Sequence, residues 1–148
     1  MKKILLILLL ILNTCGYQPL YTNQNQNDFA FEKVTTIGDK TLNRKIISTL
    51  NIREENNDNL IDEIIFETIK TTIETSKDER GQVASYRTSI KVNLTIKNMD
   101  KTLKTKVFNE DFSYNNMSNK FDLIEYQREI ENNLTNKIID NLIIYLNL

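Results

Sequence analysis

The sequence predicts an α+β domain: a two-layer sandwich in the order β-α-β-β-β-α, with a four-stranded sheet carrying two helices on one face. Three observations point there. Residues 84–97 alternate strictly, with Ala84, Tyr86, Thr88, Ile90, Val92, Leu94 and Ile96 against Ser85, Arg87, Ser89, Lys91, Asn93, Thr95 and Lys97. That is a strand with one buried and one wet face. The C-terminal stretch carries Leu123, Ile124, Gln127, Ile130, Leu134, Ile138, Leu142 and Tyr145 at helical spacing, a stripe that must bury itself on the sheet because propensity alone would not hold so long a helix. A shorter stretch repeats that spacing through Leu42, Ile46, Ile47 and Leu50.

Taken in order, Phe29 to Thr36 predicts a first strand through Phe29, Phe31 and Lys33 on one parity, and Gly38-Asp39 ends it. Asp39 is placed to cap a helix from about Thr41 to Asn51. The next segment, Leu60 to Thr75, carries Ile61, Ile65, Ile69 and Ile73, a spacing that satisfies a helix and a single strand parity alike. Its density of β-branched residues favours a strand, drawn from about Ile64 to Thr75. Ser76 to Gly81 turns the chain into the alternating strand, and Asn98 to Lys101 turns it back. On the return strand, Thr102 to Tyr114, the apolar parity changes from Leu103 and Val107 to Phe108, Phe112 and Tyr114, which predicts a β-bulge. Asn119 with Asp122 opens the terminal helix, which runs nearly to Leu148.

The chain has 148 residues, one cysteine, three glycines, one proline and no histidine or tryptophan. Lys2 and Lys3, the apolar run Ile4 to Leu12, then Asn13-Thr14-Cys15 have the layout of a secretory signal peptide. The apolar run is too short to cross a bilayer comfortably, which takes about 20 residues. Cys15 is alone, so no intramolecular disulfide explains it. A lone cysteine after such a run resembles the lipobox of bacterial lipoproteins, with Leu12 in place and Thr14 where Gly, Ala or Ser is usual. Residues 1–14 are then a leader, 15–28 a lipidated tether and 29–148 a single domain. An uncleaved signal anchor and an unmodified buried thiol are the other readings of Cys15.

Net charge is −1, and removal of Lys2 and Lys3 with the leader makes the rest more acidic. A nucleic-acid-binding protein would show a dominant basic footprint. The abundance of Asn, Ile and Lys resembles the bias of an AT-rich genome, so Asn93-Leu94-Thr95 is read as an accidental glycosylation sequon. Without histidine there is no His-based general base, no Ser-His-Asp triad and no usual zinc site. Glu110 and Asp111 are neighbours on a strand and point to opposite faces, a poor acid/base pair, and Glu54-Glu55 lies in a polar stretch. The expectation is no enzyme, no metal and no cofactor beyond an acyl and diacylglycerol group on Cys15. The basic side chains hold more promise. Arg87, Lys91 and Lys97 share a strand face, and Lys101, Lys104 and Lys106 follow in the turn and return strand. They read either as the wet face of a half-exposed sheet or as a ribbon able to meet lipid phosphates. Lys97, Lys101 and Lys104, at the hairpin tip, are the better candidates, since a protruding hairpin can reach a ligand or partner.

Cys15-Gly16-Tyr17-Gln18-Pro19-Leu20-Tyr21, with Ser113-Tyr114-Asn115 ahead of a long terminal helix, resembles the LPS-assembly lipoprotein LptE family of alphaproteobacteria. The likeness covers the mature chain and is strongest over Cys15 to Tyr21 and from Tyr86 onward. Thr14 departs from it, and residues 51–65 do not align. The resemblance implies a lipid-anchored outer-membrane protein that plugs the LptD β-barrel, helps it assemble, binds lipopolysaccharide and assists its passage to the outer leaflet, with no catalytic residues. Gly16 after Cys15 gives no inner-membrane retention signal. Two other functions stay open: a free-standing lipoprotein module that binds a lipid or cell-wall ligand, and a signal-anchored structural protein.

Overall fold

The computed structural model describes residues 29–55, 61–99 and 101–147; the expected leader, Cys15 and the expected tether lie outside them. The elements are β1 (Phe29–Gly38), α1 (Lys40–Leu50), β2 (Ile52–Glu54), β3 (Ile61–Lys77), β4 (Val83–Asn98), β5 (Lys101–Asn115) and α2 (Lys120–Leu146). The strands form one mixed sheet in the order β2-β1-β3-β4-β5. β1 runs parallel to β2 and β3, and β3-β4-β5 is an antiparallel meander.

The sheet therefore has five strands rather than four. The extra one, β2, is three residues long and pairs with β1 through Phe29–Ile52, Ala30–Arg53 and Phe31–Glu54. A strand this short has no alternation to betray it, and Ile52 is its single apolar residue. Asn51 makes it possible: at φ 50° and ψ 43° it closes α1 in the left-handed conformation, its N–H bonding back to Ile47 and Ser48. Asparagine visits that region more readily than most residues.

Both helices bury against the same face. Leu42, Ile46 and Leu50 of α1 join Ile130, Leu134, Ile138 and Leu142 of α2 in one core with Ile64 and Phe66 of β3 and Ile90, Val92, Leu94 and Ile96 of β4. The caps stand where the sequence placed them. Asp39 Oδ1 accepts from the Thr41 and Leu42 N–H groups at 2.9 Å each, and Asn119 Oδ1 accepts from the Phe121 N–H at 3.0 Å. Lys70 of β3 reaches Glu131 of α2 at 3.0 Å and Asp39 at 3.8 Å, tying both helices to the central strand.

β3 is a strand, longer at both ends than expected, and three of its four-spaced isoleucines, Ile65, Ile69 and Ile73, lie away from the helices. The covered parity is Ile64, Phe66 and Thr68, all buried, whereas Ile69 and Ile73 are half exposed. The bulge of β5 is also elsewhere. Pairing with β4 is unbroken from Lys104 to Asn115, and the register shift lies between Ile96 and Lys97, leaving Leu103 as the extra residue. Val107 and Phe108 differ in parity because β5 carries apolar side chains on both faces, not because the strand slips between them.

The exit from β1 tolerates one residue type. Gly38 has φ +93°, and a Cβ there would lie 1.9 Å from the Thr68 carbonyl oxygen, which accepts the Asp39 N–H at 3.2 Å. Gly81, in the β3–β4 turn, has φ +76° with open space around it. Gly38→Ala should thus cost well over 2 kcal/mol, against about 1 kcal/mol for Gly81→Ala. Urea unfolding of the two variants checks the order.

Candidate functional site

The predicted cations do not share one surface. β4 alternates between its covered residues and Arg87, Lys91 and Lys97 on the uncovered side, so Lys97 belongs to the open face of the sheet. Lys104 pairs with Ile96 and Lys106 with Leu94 across the β4–β5 ladder. These two lysines therefore stand on the helix side. The Lys104 ammonium sits 5.6 Å from the centroid of the Tyr145 ring of α2, within the range of a cation–π contact. Lys101 pairs with Asn98 beside the hairpin turn and is exposed. The bulge at Leu103 is what separates Lys101 from the regular ladder of Lys104 and Lys106.

Charge on the open face is largely balanced. Lys97 Nζ lies 3.7 Å from Glu63 Oε2, and Lys33 Nζ lies 2.9 Å from Glu63 Oε1. The Thr35 hydroxyl donates to Glu63 Oε1 at 2.6 Å. One carboxylate on β3 thereby joins β1 and β4 across the sheet. The Thr35 hydrogen bond foremost, then the Lys33 bond, holds the Glu63 carboxyl below the ordinary carboxylate range. Arg87 donates through Nε to Ser113 Oγ at 3.0 Å and lies 3.8 Å from Asp111. Glu63 is not visible as a hub in the sequence because its partners Thr35, Lys33 and Lys97 stand 28, 30 and 34 residues away along the chain, and only the register brings them together.

The open face also carries apolar side chains that a lone domain would be expected to bury: Ile37, Ile69, Ile73 and Val107 are each about half exposed. The isoleucine spacing along β3 was the sequence signal for this stripe. A second apolar feature is a cleft of about 330 Å³ at the end of the sheet where β1 begins, lined by Phe29, Phe31, Ile61, Ile96, Leu103 and Tyr145, with Lys104 also in its wall. Such a cleft is at the small end of those that hold ligands. No group of three metal-ligating side chains occurs among the described residues, and no described helix is long and apolar enough to cross a membrane.

A candidate lipoprotein from Caulobacter crescentus CB15 has a solved structure that superposes on this chain with a TM-score of 0.50 at 9% identity, covering 78% of this chain and 89% of that one. The likeness is one of fold. Lipoprotein B of Nitrosomonas europaea gives a TM-score of 0.49 at 10% identity over 77% of this chain and 79% of its own. Rare lipoprotein B of Shewanella oneidensis gives 0.47 at 11% identity over 78% and 99%. At these identities the sequences themselves are no guide to shared residues. No family model matches the chain, and no curated protein does.

The depressed Glu63 titration fixes the sign of one pH effect. A carboxyl with a lowered folded pKa stabilises the fold above the ordinary carboxylate range, and that stability is lost as pH falls through the folded value. The stability difference between the native chain and Glu63→Gln should be largest near neutral pH and shrink below about pH 4. Urea titrations at several pH values would show it, and a difference that grows on acidification would contradict it.

Proposed function

We propose that this chain is a lipoprotein of the outer membrane, anchored through an acylated Cys15, that plugs an LptD-like β-barrel, helps it assemble and assists lipopolysaccharide transport to the outer leaflet. The observation that carries the proposal is the joining of two features in one chain. A leader, a lone cysteine and Gly16-Tyr17-Gln18-Pro19-Leu20-Tyr21 precede a domain with the fold of the Caulobacter candidate lipoprotein. Several acyl chains on one residue make membrane release negligible, at about 0.8 kcal/mol per buried methylene. A domain held that way can leave an apolar stripe on its open sheet face for a large partner, and Ile37, Ile69, Ile73 and Val107 supply one. The threonines and serines between them suit a polar barrel lumen. No side chain is assigned a catalytic role.

The cleft beside Lys104 favours a second reading, a free-standing lipoprotein module that binds a lipid. Apolar walls and one cation are the chemistry that a single acyl chain with an anionic head requires.

A gentle detergent pull-down of the tagged full-length chain from its own membranes separates the two readings. The plug reading expects a large, heat-modifiable barrel protein at one-to-one stoichiometry; recovery of the chain alone would end it. Palmitate labelling that is lost in Cys15→Ser is the expected sign of the anchor. Reversal of Lys101 and Lys104 to Glu should weaken lipopolysaccharide binding several-fold with an unchanged circular dichroism spectrum, and unchanged binding would leave Lys101 a solvated residue beside the turn and Lys104 a packing partner of Tyr145.

A further inference from the structure

We propose that β5 is a self-pairing edge, through which two copies of this chain join antiparallel about a two-fold axis into one continuous sheet. The sheet order leaves β5 hydrogen-bonded to β4 on one side, and among the described residues no strand pairs with its other side. Proteins blunt such edges by making them short, bulged or charged, because an open row of N–H and C=O groups invites another strand. The opposite edge, β2, is blunted by its length of three residues. β5 is 15 residues long, and its one bulge lies near the turn at Leu103, so the ladder beyond it is regular. It also carries Leu103, Val107 and Phe112 with about half of each side chain exposed.

Charge selects the partner and the direction. The lysines of β5, at 101, 104 and 106, fill its first half, and its acids, Glu110 and Asp111, fill its second. A parallel in-register partner of the same sequence would set lysine beside lysine. An antiparallel partner sets the basic half of each copy against the acidic half of the other, as an isologous contact requires. Side chains keep to their own faces only when the axis passes through a residue. Centred on Val107, the pairing puts Lys104 opposite Glu110 and Val107 opposite its own copy. Centred on Phe108, it puts Lys106 opposite Glu110 and Thr105 opposite Asp111. In both registers Glu110 meets a lysine of the second copy. Within its own chain Glu110 meets Lys137 only at 3.9 Å, and the Glu110 side chain keeps 28% of its surface exposed, so a closer cation can reach the carboxylate. Cross-strand pairs of opposite charge are a recognised source of sheet stability, and like charges directly opposite are destabilising. This inference goes beyond the barrel reading and does not rest on it.

Sedimentation velocity of the full-length chain in mild detergent, at excess micelles and over a hundredfold range of protein concentration, tests it. The expected result is a monomer–dimer equilibrium. Glu110→Lys should raise the dimer Kd about tenfold or more, and mixing it with Lys104→Glu/Lys106→Glu should restore a heterodimer. Lys137→Ala removes only the contact within the chain and should dimerise like the native protein. A chain that stays monomeric throughout would overturn the proposal, as would Glu110→Lys dimerising as tightly as the native chain or Lys137→Ala losing the dimer equally. The barrel pull-down reads a different partner, so either proposal can fail alone.

Discussion

The long antiparallel ladder between β3 and β4 is the constraint on which the rest of this structure depends. It runs from Glu63–Lys97 to Lys77–Val83 and supplies the middle of the covered face through Ile64, Phe66, Ile90, Val92 and Leu94, all buried. A one-residue slip would turn every one of these outward. The two helices lie on that face alone, so the alternation that builds the core also fixes what the other face must show. Thr88 marks the place where the covered face turns polar: its buried hydroxyl shares hydrogen bonds with Thr72 at 3.0 Å and with the Tyr114 hydroxyl at 3.1 Å. A polar pair held between strands in this way fixes the register as well as packing does.

How legible this was in the sequence depended on the length of each signal. β4 could be read in full because its alternation is uninterrupted, and the two helices because their caps, Asp39 and Asn119, and their stripes agree. β2 was invisible, since three residues carry no period and the left-handed turn at Asn51 that launches it looks like any other asparagine in an asparagine-rich chain. The bulge was misplaced for a different physical reason. A parity change implies a bulge only where apolar residues keep to one face, and β5 has Phe108 under α2 and Val107 on the open side. The same condition bears on the isoleucines of β3, whose spacing marked a strand while their parity marked its uncovered surface.

The candidate site was less legible than the fold. Nearness in sequence suggested a single cationic tip, but a bulge at Leu103 and the alternation of the strands distribute Lys97, Lys101 and Lys104 over the open face, the turn and the helix side. Neutralisation matters as much as position. Lys97 and Lys33 share the Glu63 carboxylate, a relation between three strands that no local pattern encodes. What remains on the open face is a surface mostly balanced in charge and studded with isoleucine, better fitted to protein contact than to gathering anions.

The parallel pairing of β1 with β3 gives the molecule a polarity. Phe31 lies beside Ile61, and Glu63 faces Lys97, so the chain enters the sheet at the end where β4 turns into β5. The Asp78–Gln82 turn is the opposite pole, roughly 55 Å away along the 17 residues of β3 at strand rise. The end where β1 begins therefore also carries Lys101 and exposed Met99, while Asp78, Glu79 and Arg80 lie at the far end. The two ends of the sheet thus differ in chemistry, and the uncovered face runs the whole length between them.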